Sequence, residues 1–219
     1  KFSERLGNAH DDLKQKYVTK RETIEKRLQD FRDVYSLPDK EIFAELCFCL
    51  MTPQTRAKSA GNAIRKLKET GLLYSGTPEE IKKWMASIRF NENKSKYIVK
   101  ARNMFTDGNG NIKLKEKLKE KDIFALREWL IENVKGFGLK ESSHFLRNIG
   151  FGDDIAILDR HILKNLVRYG VIEEVPKSLT DKKYLEIEGK MRAFSKETGI
   201  PFSHLDLLWW SEETGEIFK

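Results

Sequence analysis

Apolar residues recur at intervals of three, four and seven along nearly the whole chain, and no stretch carries a convincing strand pattern. Between residues 10 and 35 the series is Leu13, Tyr17, Ile24, Leu28 and Phe31. Pro38 opens a second helix with Asp39 and Glu41 in its first turn, where acidic groups suit the helix dipole. Its continuation, Ile42 to Met51, is apolar on most faces and is expected at the centre of a core. Cys47 and Cys49 lie inside it as small buried hydrophobes. Further helices are expected from Thr55 to Glu69, from the capping-box sequence Thr77-Pro78-Glu79-Glu80 to about Ile88, and from Lys94 to Phe105. Others open at Asp122, near Lys140, near Asp159, at Ser178–Asp181 and at Pro201. Turns are expected at Asn91–Asn93 and Gly150–Asp154. The clearest loop, Asp107-Gly108-Asn109-Gly110-Asn111, marks the expected boundary between two lobes. Residues 1–35 with about 112–219 are expected to form one lobe, and about 36–111 a central helical lobe. The expected fold is all-α, with two helical lobes flanking a cleft.

Composition narrows the class. A chain of 219 residues with 39% hydrophobic residues, including 13 Phe, 6 Tyr and 4 Trp, can bury a sizeable core and is not disordered. With 14 Gly and 5 Pro it is neither collagen-like nor of low complexity. No run approaches the ~18 apolar residues of a transmembrane helix, and Lys1–Arg5 lacks a signal-peptide pattern. Two cysteines make no disulfide framework. An intracellular, monomeric protein is therefore expected. Lys plus Arg total 41 against 34 acidic residues, a net charge of +7 that hints at an anionic partner without naming one.

The chemistry concentrates in Val134-Lys135-Gly136-Phe137-Gly138-Leu139-Lys140, between two helices. Glycines one residue apart allow positive φ and close backbone approach, and a following helix N-terminus offers N–H groups to a phosphate. Gly-x-Gly alone is equally a plain interhelical turn. Further along comes Ile157-Leu158-Asp159-Arg160-His161, apolar residues leading into a polar helix start. At that position the Asp159 carboxylate is placed to cap free N–H groups.

This arrangement resembles the helix–hairpin–helix superfamily of DNA glycosylases, whose signature is a glycine hairpin, a lysine just after it and an aspartate after the following loop. The match extends through Gly136–Gly150 and Ile155–Leu163, and through Leu50-Met51-Thr52-Pro53-Gln54-Thr55 and Arg89–Ile98. In these segments, and in the closing Gly215–Lys219, the chain is similar to the archaeal and bacterial 8-oxoguanine DNA glycosylase/lyases.

The resemblance implies base excision from damaged double-stranded DNA followed by strand nicking. It makes Lys140 the nucleophile that forms a Schiff base, where the residue read alone is a solvated helix-start lysine. Such an amine must be neutral to attack, whereas an exposed lysine titrates near ~10.4. It gives Asp159 the stabilisation of developing positive charge on the sugar, compatible with capping. His161 is read as a helix-surface or phosphate-contacting residue. Gln54 matches an intercalating position, or is a helix-cap neighbour. Phe90 and Trp210 are the aromatic candidates for the base pocket, or core residues. Asp206, one turn before Trp210, is the acceptor candidate for guanine N1–H and N2–H₂, or a surface carboxylate. Lys219 is implied to reach the pocket. Lys135, Gly136 and Gly138, with Arg56, Lys58, Arg65 and Lys164, are the phosphate-side candidates. Endonuclease III relatives carry four cysteines after the aspartate helix for an iron–sulfur cluster; this chain has none there, so no cluster, no catalytic metal and no other cofactor is expected. A structural monovalent cation at the hairpin carbonyls is compatible with the resemblance. The competing readings are a glycosylase for another lesion and a DNA-binding module without activity.

Overall fold

The computed structural model describes residues 2–119 and 122–217, with side chains from residue 7 onward. Those residues form helices joined by short connections, and the described residues contain no strand, only an isolated bridge between Thr106 and Ile112. The all-α expectation is met.

Helix α1 (Phe2–Val34) is followed by α2 (Asp39–Met51), whose Ile42–Ala44 and Leu46–Met51 are all buried. Around α2 pack α3 (Ala57–Glu69), α6 (Asn91–Phe105), α7 (Leu114–Leu118) and α9 (Leu139–Asn148). Helices α4 (Leu72–Ser75), α5 (Pro78–Lys82) and α8 (Ile123–Asn133) complete this half. The second half consists of α1 with α10 (Arg160–Arg168), α11 (Asp181–Thr198) and α12 (Phe202–Thr214). Its centre is Trp209, stacked on Tyr169 with ring centroids 5.7 Å apart.

Three local expectations are revised. The Thr77 capping box forms, with Glu80 N donating to Thr77 Oγ1 and Thr77 N to Glu80 Oε2, but α5 stops at Lys82. Beyond it Trp84, Met85 and Ile88 N–H groups bond three residues back, a tighter winding that buries Met85 and Ile88. The turn expected at Asn91–Asn93 is instead the first turn of α6, because Phe90 makes the chain reversal itself at φ +59°. Helices α4 and α7 were not expected, since four or five residues are too few to display a period.

The core also divides elsewhere than at the 107–111 loop. Ile112, Leu114, Leu118, Leu126, Leu130, Phe137 and Phe145 all join the α2 core, and the second core resumes at Ala156. The reason is the apolar faces of α8 and α9: α9 packs on α2 and α8 on α9, which leaves the hairpin with the central half.

The two halves are fastened by Glu188 of α11. Its carboxylate accepts from Arg127 Nη1 at 2.7 Å and Nη2 at 3.0 Å, on α8, and from the backbone N of Ala156 at 2.7 Å. Both side chains are 3% exposed. Glu188→Ala strands the Arg127 charge and is expected to lower unfolding free energy by about 3–5 kcal/mol in urea titrations. Within the second half α1 is tied to α12, where Tyr17 Oη and His204 Nδ1 lie 2.9 Å apart. Burial holds His204 below its ordinary pKa, so the folded state binds fewer protons there than the unfolded chain. Its stabilisation is fully present above the unfolded value of ~6.5 and is lost as pH falls from there through the lower folded value. The urea midpoint should drop between pH 7.5 and 5, and drop less in His204→Gln.

Candidate active site

The hairpin between α8 and α9 is built around Gly136. Its φ is +98°, and an added Cβ would meet Tyr97 Cδ2 at 2.7 Å and Leu50 Cδ2 at 3.1 Å. Both the backbone angle and the packing therefore call for glycine. Gly138 is different: its φ of −117° is ordinary extended backbone, and its N–H donates to Glu141 Oε2 at 3.1 Å. The Gly138 donor is thus engaged in capping α9. Lys140 follows as the second residue of α9, 32% exposed, with Nζ 3.7 Å from Glu141 Oε1.

Asp159 arrives on a rigid approach. Leu158 N donates to Tyr184 Oη at 3.1 Å, and Tyr184 Oη donates to the Ala156 carbonyl at 2.6 Å. With Glu188 on the Ala156 N–H, α11 side chains hold the buried segment Ile155–Leu158 in place. Asp159 then caps α10, and its two oxygens have separate partners. Ile162 N donates to Oδ1 at 2.8 Å, and Trp210 Nε1 donates to Oδ2 at 2.9 Å. The carboxylate is thus fixed in place and orientation by α10 and α12 together.

Lys140, Asp159, Asp206, Trp210 and Gln54 all line one cleft of about 700 Å³. Asp206 sits in its wall, buried, accepting from Arg147 Nη1 at 2.8 Å. Burial raises the Asp206 pKa against the opposing pull of Arg147. Gln54 is exposed at φ +55° in the turn after α2. His161 stands edge-on to Trp210 at 5.4 Å, with Nδ1 3.9 Å from Glu213.

The structure does not bring every expected residue into this cleft. Phe90 lies outside its lining, 52% exposed, with the Arg89 guanidinium 5.1 Å from its ring centroid. Lys135 and Lys164 are exposed and lie outside the lining, while Arg56 and Lys58 belong to it. Lys58 pairs with Glu216 at 3.0 Å, and Arg65 with Glu69 on its own helix at 3.0 Å. Lys219 falls outside the described residues. Among the described residues no group of three or more His, Cys, Asp or Glu is placed to hold a metal ion. No described helix is long and apolar enough to cross a membrane.

Sequence reasoning missed Arg147 and His144, which line the cleft with Lys140. The signal was present: Lys140, His144 and Arg147 are spaced i, i+4, i+7 and share one face of α9. On α12 the same rule groups Asp206, Trp210 and Thr214 in the lining.

A glycine hairpin leading to a cleft lysine, opposite a capped aspartate at the head of the next helix, defines the helix–hairpin–helix DNA glycosylases. The sequence pattern of the 8-oxoguanine DNA glycosylase family matches residues 24–200, and the chain belongs to that family. An 8-oxoguanine DNA glycosylase/AP lyase of Fusobacterium nucleatum is 46% identical over 205 residues, covering 90% of this chain and 91% of that protein. One of Methanocaldococcus jannaschii is 40% identical, with 91% and 93% covered. The crystal structure of the M. jannaschii 8-oxoguanine DNA glycosylase superposes with a TM-score of 0.81 at 36% identity, over 96% of each chain. A structure of the M. jannaschii glycosylase/lyase with a 15mer DNA containing 8-oxoguanine gives 0.80 at 38% identity, covering 94% of this chain and 99% of that one.

The Asp159–Trp210 bond should be measurable. Trp210→Phe removes the indole donor, and Asp159→Ala removes both acceptors. A urea double-mutant cycle is expected to give a coupling of about 1.5–3 kcal/mol, the range of a hydrogen bond to a charged group.

Proposed function

We propose that this chain excises 8-oxoguanine from duplex DNA through Lys140 and then nicks the strand at the resulting abasic site. The observation that carries this reading is the single cleft shared by the Lys140 amine and the doubly held Asp159 carboxylate.

In this scheme the target nucleotide leaves the stack, and Gln54 fills the gap. Neutral Lys140 Nζ forms a bond to the sugar C1′ as the glycosidic bond breaks. The base departs with the bonding electrons and takes up a proton. The ionised, fixed Asp159 carboxylate offsets positive charge as it develops on the sugar, without reorganising during the reaction. The adduct nitrogen gives up a proton and the C1′–O4′ bond breaks, O4′ taking up a proton, to leave an open-chain Schiff base; loss of a C2′ proton then expels the 3′ phosphate, which breaks the strand.

Trp210 offers its ring to the extruded base while its N–H steadies Asp159. Asp206 uses lone pairs not taken by Arg147 to accept from guanine N1–H and N2–H₂. Lys219 is assigned the feature that separates 8-oxoguanine from guanine. Gly136 with the first-turn N–H groups of α9, and Lys135, take a backbone phosphate. Phe90, exposed and set beside the Gln54 turn through Arg89 N and Thr55 Oγ1, is available to offer a second ring to the extruded base. The chemistry runs on Lys140 and calls for no iron–sulfur cluster; a monovalent cation at the hairpin carbonyls has a structural part only. DNA as substrate places the protein inside the cell, acting as a monomer.

Incubation with an 8-oxoguanine duplex and sodium borohydride is expected to give a covalent protein–DNA adduct that is absent in Lys140→Gln. No adduct with any lesion or abasic site would overturn the reading. Removal of Lys219 should weaken discrimination against guanine; unchanged selectivity would refute its role.

A further inference from the structure

Gln54 and Phe90 are the non-glycine residues with positive φ among those described, at +55° and +59°. Such angles cost about 1–3 kcal/mol each and persist only where the surroundings enforce them. Both turns meet at one hydroxyl. Thr55 Oγ1 accepts from Arg89 N at 3.2 Å and from Lys94 Nζ at 3.4 Å. Lys94 Nζ also donates to the carbonyls of Met51 at 2.8 Å and Pro53 at 2.6 Å. All three ammonium protons thus hold the residues flanking Gln54.

The placement makes little sense for Lys94's own helix. Lys94 stands in the first turn of α6, where the helix dipole opposes a cation, and it is only 5% exposed. Its partners are carbonyls and a hydroxyl rather than carboxylates. What the charge does favour is the other end of the contact: the Met51 carbonyl closes α2, at the negative pole of that helix. Lys94 therefore fastens the end of α2 to the Gln54 turn, at a desolvation cost that a surface lysine avoids. Burial brings its pKa down to about 8, aided by the positive charge of Lys140 and opposed by Glu141, the charged groups of α9 that face it.

We propose that Lys94 is a positioning residue that pins the Thr52–Thr55 turn so that Gln54 is held, strained and exposed, ready to replace the extruded base. This rests on the intercalating part given to Gln54 above.

The test uses the full chain and two substrates. One is a duplex containing 8-oxoguanine with 2-aminopurine beside it, whose fluorescence reports base extrusion. The other is a single strand with a preformed abasic site, which needs no extrusion. Wild-type excision and its fluorescence change are measured first; their absence overturns the proposed function itself. With those in hand, Lys94→Met should slow duplex excision about tenfold or more, a misplacement-scale effect, and shrink the fluorescence change. Nicking of the abasic single strand should fall by no more than about threefold. Adding Lys94→Met to Gln54→Ala should cost less than about twofold further, since both remove one function. Lys94→Arg, which keeps the charge and the donors, should restore most of the duplex rate. Equal losses on both substrates, or full additivity with Gln54→Ala, would overturn the inference. If Lys94→Met does not fold, Thr55→Val removes the shared hydroxyl more gently and should show the same duplex-selective loss; a duplex rate equal to wild type would again overturn it.

Discussion

The Asp159 carboxylate is the interaction on which the site depends. One oxygen caps α10 through Ile162 N, and the other is tied to α12 through Trp210 Nε1. A carboxylate held at both oxygens has no rotational freedom left to spend, and its position becomes a property of the fold. The approach segment is equally constrained, because Tyr184 and Glu188 of α11 take up its backbone groups. Three helices thereby converge to orient one side chain. Preorganised charge of this kind is worth most in a partly water-excluded cleft, where it need not rearrange as the sugar becomes positive.

Lys140 comes from the other half of the molecule. Its helix α9 packs with α8 on the α2 core, whereas α10 and α12 belong to the second core. Lys140 and Asp159 therefore line one cleft from the two sides of the division between cores. Two buried ion pairs span that division: Arg127 with Glu188, and Arg147 with Asp206. Neither is an efficient source of stability, given the desolvation of four charges. What they fix is the relative setting of α8 and α9 against α11 and α12, and so the geometry between Lys140 and Asp159.

Much of this was legible in the chain. The apolar run Ile42–Met51 announced the central helix, the glycine hairpin announced the turn into α9, and Asp159 at a helix head announced its cap. Other features had no local signature. Phe90 reverses the chain in a left-handed conformation that favours glycine, so the sequence around it reads as a turn two residues too late. Lys94 sits in the polar run Asn93-Lys94-Ser95-Lys96 and looks like any surface lysine; only the fold shows it buried against α2. Gly136 and Gly138 look alike in sequence, yet one needs its positive φ and the other is extended with its N–H engaged. A Gly/Asn loop marks a connection between helices, while the core is divided by which helix faces pack together. Arg147 was readable in principle, two turns along the same face of α9 as Lys140, but a charged residue in the apolar Phe145–Ile149 stretch had no partner until Asp206 came into view.

The account stands or falls on which amine meets the sugar. Lys94, Lys135 and Lys140 all lie on or beside the hairpin and the Gln54 turn, so a covalent product alone does not distinguish them. The most direct measurement is proteolysis of the borohydride-reduced complex with an 8-oxoguanine duplex, followed by mass-spectrometric location of the sugar remnant. The account predicts the remnant on Lys140 and on no other residue. A remnant on Lys94, on Lys135 or on any other amine would contradict it.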